Sequence, residues 1–105
     1  MFATYAALLP WLKVAARHHG YALLVHGSTT RDLDLVAVPW VADAVGAGEL
    51  VEILRQVQGG RVAFVSRPTP KPHGRLAFVA LLKEERPDGQ LCYLDISVLP
   101  RREAT

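Results

Sequence analysis

His26-Gly-Ser-Thr-Thr-Arg-Asp-Leu-Asp-Leu-Val-Ala-Val38 brings two apolar runs together through a Gly-Ser pair and two aspartates. Tyr21-Ala-Leu-Leu-Val25 leads into it, and Leu33, Leu35, Val36 and Val38 continue beyond it. Short apolar runs bounded by turn residues read as buried strands. Tyr21–His26 is expected as one strand and Asp32–Val38 as the next, with Gly27 to Arg31 as a tight connection. Pro39 ends the second, because proline cannot donate to a sheet ladder. Side chains on a strand alternate between faces, so Asp32 and Asp34 point the same way, their Cα atoms roughly 6.5 Å apart. That spacing suits a divalent cation clamped against phosphate oxygens.

Upstream, Tyr5, Leu8, Leu9, Leu12, Ala15, Ala16 and His19 recur at helical intervals and predict a helix over 4–19, with Gly20 as its stop. Pro10 removes an internal hydrogen bond. The expectation is a short turn ending at Leu9 and a main helix opening with Pro10 in its first turn. His18 and His19 are expected as solvated residues at the helix end. Downstream, Leu50, Ile53, Leu54 and Val57 give one apolar face to a helix from Glu49 to Gln58. Asp43 or Gly48 is its expected cap, and Gly59-Gly60 end it.

Arg61–Ser66 is a third strand. Alternating prolines make Arg67-Pro-Thr-Pro-Lys-Pro-His-Gly74 an extended surface loop. Arg75–Leu82 and Leu91–Leu99 read as an antiparallel hairpin with Asp88-Gly89 as its turn, and residues 100–105 as a polar tail. The expected fold is α+β in a single domain over 1–105, a small mixed β-sheet of about five strands with two main helices packed on one face.

Half of the 105 residues are hydrophobic, which excludes a disordered chain and allows a core. No apolar run is long enough to span a bilayer, and no basic segment precedes the apolar N-terminus, so neither a membrane partner nor a signal peptide is expected. Cys92 is the single cysteine, which points to a cytoplasmic location and an inert core thiol. The net charge is +2, with basic residues spread along the chain, which does not suit a dedicated duplex-DNA binder. Trp11 and Trp40 are expected as core or interface anchors.

In the last strand Cys92, Leu94, Ile96 and Val98 face one way, and Tyr93, Asp95 and Ser97 the other. With Gly27-Ser28, Asp32-Leu-Asp34 and Leu94-Asp95-Ile96, the chain resembles the nucleotidyltransferase superfamily with the polymerase-β-like catalytic core. That pattern is a strand ending in Gly-Ser, an acidic-x-acidic strand, and a third carboxylate between apolar residues on a later strand. The resemblance covers about residues 3–99 of the sequence. It implies Mg²⁺ or Mn²⁺ held by Asp32, Asp34 and Asp95 as the catalytic carboxylates. It further implies that Gly27 and Ser28 cradle the phosphates of an NTP, with ATP as the expected donor and AMP as the group transferred to a hydroxyl.

Arg31 is a candidate phosphate ligand or a solvated turn residue. Lys71, His73 and Arg75 form a candidate phosphate or nucleic-acid contact on the proline loop, or a polar connection. His26 lies within reach of the acidic site or packs at its strand end. Tyr93 shares the face of Asp95 and borders a nucleotide base or packs in the core. Minimal members of the superfamily work with a protein partner or as homo-oligomers. Thr29, Thr30 and Arg31 make a shorter spacer than the family pattern. The alternative is therefore a catalytically inactive domain binding nucleotide, nucleic acid or a protein partner through the same groove.

Overall fold

A computed structural model describes residues 1–101. Most of the polar tail expected at 100–105 lies outside the described residues. Helix α1 (Ala3–His18) leads into β1 (Tyr21–His26) and β2 (Leu33–Pro39), followed by α2 (Ala47–Arg55) and the one-turn α3 (Val57–Gly60). Then come β3 (Val62–Val65), the two-residue β4 (Thr69–Pro70), a 3₁₀ turn (Pro72–Gly74), β5 (Leu76–Glu85) and β6 (Leu91–Val98).

The strands form one mixed sheet in the order β1-β2-β6-β5-β3, and β4 also pairs with β5. Among the described residues only β2 and β6 pair in parallel. Helix α1 lies over β1, α2 over β3 and β5, and the two helices touch each other. One face of the sheet is therefore covered and the other is open. The fold is α+β, as the sequence pattern predicts.

Alternation assigns the side chains. Leu33, Leu35 and Ala37 of β2 and Cys92, Leu94, Ile96 and Val98 of β6 are buried under the helices. Tyr5, Leu8, Leu12 and Ala16 fill the facing stripe of α1, and Leu50, Val51 and Leu54 that of α2. Burying each such side chain contributes about 1.5–3 kcal/mol. Gly20, at φ +95°, lets the α1–β1 turn pass beneath Ala44, where a Cβ would stand 2.7 Å from the Ala44 backbone.

Three expectations are corrected. Helix α1 runs unbroken through Pro10 instead of restarting there. Ala6 and Pro10 both lie on its exposed side, so the carbonyl that loses its donor is open to water while the buried stripe holds the helix together. The α2 N-cap is Gly46, not Asp43 or Gly48. Trp11 and Trp40, expected as core or interface anchors, are 56% and 60% exposed, which removes the core alternative and leaves the interface one.

Tyr5 plays a part that its helical spacing hides. Its hydroxyl donates to the Arg31 carbonyl at 2.7 Å and accepts from the Tyr93 N–H at 3.1 Å. It thus ties the turn before β2 to β6 just beyond the start of the parallel ladder. Burial pushes its phenol up to about 12.

Candidate functional site

On the open face, three polar residues line up across neighbouring strands. His26 of β1 stands opposite Asp34 of β2, Asp34 beside Asp95 of β6, and Asp95 opposite Val79 of β5. Adjacent strands are about 4.8 Å apart, so the two carboxyl groups are nearest neighbours. The flanking Leu33, Leu35, Leu94 and Ile96 point to the covered face. Asp34 and Asp95 are half-buried. Burial, a hydrogen bond that the protonated Asp95 carboxyl donates to Asp34, and the repulsion of the Asp34 and Asp32 carboxylates push Asp95 up to about 6.

The pair sits in an open groove of about 260 Å³ on the side of the proline loop. Lys71, Thr69 and Ser97 line it with the His26–Asp34–Asp95 row. The Ser97 hydroxyl is buried and has no hydrogen-bond partner among the described residues. Ser97 and Thr69 were absent from the sequence-derived site. The sequence does carry a signal for Ser97, which lies two residues from Asp95 on the same face of the strand.

The other expected residues are distributed as follows. Gly27, at φ +70°, leaves room beside the acids, since a Cβ there would lie 3.0 Å from Asp34 Oδ2. The Ser28 hydroxyl is engaged within its own turn, 3.0 Å from Thr30 Oγ1 and accepting from the Thr30 N–H at 3.4 Å. Asp32 precedes β2 and faces Arg86, with Oδ1 4.0 Å from Nη1. Arg86 in turn is clamped by Asp88 at 2.7 Å. The Arg31 side chain is exposed, and its carbonyl takes the Tyr5 hydroxyl. Of the Lys71, His73 and Arg75 set, only Lys71 lines the groove. His73 sits in the 3₁₀ turn at φ +66°, and Arg75 Nε donates to the Pro72 carbonyl at 3.4 Å.

The described residues therefore bring Asp34, Asp95, His26 and Lys71 together and leave His73 and Arg75 outside. No set of three His, Cys, Asp or Glu side chains among them closes around a single metal position. Two carboxylates nevertheless fit one Mg²⁺, which is commonly held by one or two carboxylates, water and substrate phosphate. A two-ion arrangement would require Asp32 to turn away from Arg86.

No protein-family model matches the chain, and no curated protein matches it. Among the described residues no helix is long and apolar enough to cross a membrane.

Proposed function

We propose that this groove binds the phosphates of a nucleoside triphosphate with a divalent cation, and that the chain is a minimal metal-dependent nucleotidyltransferase. The observation that carries the reading is the side-by-side register of Asp34 and Asp95 on the parallel β2–β6 pair. The like-charge crowding that raises Asp95 marks a position where a cation would relieve repulsion. A bound Mg²⁺ or Mn²⁺ would neutralise charge developing on the phosphate and pyrophosphate oxygens.

The chain's own groups have distinct tasks. Asp34 and Asp95 offer carboxylate oxygens. Lys71 balances phosphate charge, and the Ser97 and Thr69 hydroxyls donate to phosphate oxygens. Gly27 keeps the approach to Asp34 clear. The Asp95 carboxylate is placed to accept the proton of an acceptor hydroxyl. The hydroxyl oxygen then bonds to the α-phosphorus, the bond to pyrophosphate breaks, and a nucleotidyl ester forms.

A second reading, binding without transfer, is favoured by the Ser28 hydroxyl spent on Thr30 and by Asp32 facing Arg86. Incubation with Mn²⁺ and α-labelled ATP, GTP, CTP or UTP, over a panel of RNA and protein acceptors, separates the two. Label joined to an acceptor and lost in Asp95→Asn supports transfer. Nucleotide retained by the protein with no labelled product supports the second reading.

A further inference from the structure

Trp40 borders two grooves. One, of about 380 Å³, is formed by Lys13 and Arg17 of α1 and by Trp40, and exposed Ala22 also lines it. The other, of about 210 Å³, is lined by His18, His19 and Val41. Arg17 and Trp40 line both. The Trp40 side chain is 60% exposed, while its backbone N–H donates to the Gly20 carbonyl at 2.9 Å. The backbone is thus held and the indole is open to solvent. Ala22 is four residues from His26 on β1, about 13 Å along the strand, so the site is separate from the acidic row.

The charge around Trp40 has one sign. No Asp or Glu occurs in the sequence before Asp32. Lys13 and Arg17 are one helical turn apart on α1 and both exposed. Neither joins an ion pair among the described residues, whereas Arg55, Arg61 and Arg86 each meet a carboxylate. Asp43 is the one carboxylate lining either groove among the described residues. The Lys13 and Arg17 pair is thus available to an anion.

We infer that Trp40, Lys13 and Arg17 form a binding site for single-stranded nucleic acid, with bases stacked on the indole and neighbouring phosphates on the two cations. An aromatic platform beside a cationic track holds a single strand without reading its sequence, because every base has a flat face and every nucleotide a charge. Residues one helical turn apart have Cβ atoms about 5–6 Å from each other, which lets Lys13 and Arg17 reach adjacent phosphates of an extended strand. Arg17 borders both grooves, so the strand can pass Trp40 and place a base on each side of it. A mononucleotide would fill one groove only. A duplex keeps its bases stacked inside and offers none to the indole. An acidic peptide would satisfy the cations alone and leave the indole without a stacking partner. This inference does not depend on the function proposed for the acidic groove.

The test is a titration of the whole chain with oligothymidylate and oligouridylate of about eight nucleotides, read by tryptophan fluorescence and calorimetry. It is run in EDTA, which removes any cation that the acidic groove requires, so its outcome is separate from the function proposed there. Trp11 and Trp40 are the two tryptophans of the chain, and Trp11→Phe leaves Trp40 as the sole reporter. Both oligonucleotides should quench that reporter, and a duplex of equal length should bind at least tenfold more weakly. Log affinity should fall against log salt with a slope of about −1.4, from two phosphates at roughly −0.7 each. Lys13→Gln and Arg17→Gln, at exposed positions, should each reduce the slope by about 0.7. Trp40→Ala should weaken binding roughly tenfold, and Trp40→Phe, which keeps a ring, should recover most of it. The inference is overturned if neither oligonucleotide binds. Equal affinity for the duplex, for polyglutamate or for uridine monophosphate would overturn it too. So would an affinity unmoved by Trp40→Ala, or a salt slope unmoved by both charge substitutions.

Discussion

On the covered face of the sheet, Leu33, Leu35, Leu94 and Ile96 are buried beneath α1 and α2. One residue along the same strands, on the open face, stand Asp34, Asp95 and Ser97. Around them Leu24, Val79 and Tyr93 are 52%, 41% and 38% exposed. The strands are the same and the backbone bonds are shared, so the contrast comes from the period of two alone. One set of side chains supplies stability. The other set includes two carboxylic acids that repel when ionised, an arrangement that opposes folding and suits a ligand.

That contrast can be tested by substitutions of decreasing effect. Leu94→Ala, at a fully buried site, should destabilise by about 2–5 kcal/mol in urea denaturation. Val79→Ala, next to buried Phe78 on β5 but on the open face, should cost under about 1 kcal/mol. Equal costs would break the distinction between the faces. Tyr5→Phe should cost about 1–3 kcal/mol, because it strands the Arg31 carbonyl and the Tyr93 N–H at the joint between β2 and β6. A neutral result would mean that the hydroxyl bridge adds nothing to the ladder.

Asp95→Asn is expected to act in the opposite direction. A carboxyl raised from 3.8 to about 6 in the folded state binds its proton more tightly there than in the unfolded chain. Its contribution to stability is thus fullest below 3.8 and is lost as pH rises through about 6. Asp95→Asn should match the wild type at low pH and exceed it by about 1 kcal/mol at neutral pH, read from denaturation at several pH values. A variant less stable than wild type at neutral pH would contradict the repulsion. Ser28→Ala, which breaks only an exposed turn contact, should change stability by less than about 0.5 kcal/mol.

Much of this architecture was legible in the sequence because it rests on periodicity. The helical stripe of α1, the alternation in β2 and β6 and the Asp88-Gly89 hairpin all follow from local spacing. Asp34 and Asp95 fall on one face for the same reason. The side on which the Arg67–Gly74 loop would lie was not legible, since three prolines fix its stiffness and not its direction. Lys71 consequently reaches the groove while His73 and Arg75 do not. The orientation of Asp32 was also hidden. It lies before the first paired residue of β2, where alternation no longer governs, and Arg86, far along the chain, draws it aside. Pro10 misled because its helical cost depends on whether the orphaned carbonyl is buried, which a linear pattern does not state.

The most direct measurement is calorimetric titration of Mg²⁺ and ATP, together and separately, into wild type, Asp34→Asn and Asp95→Asn. The acid-pair account predicts nucleotide binding that requires the cation and is lost in both variants. Binding of equal strength in wild type and both variants, or no binding to wild type, would contradict it.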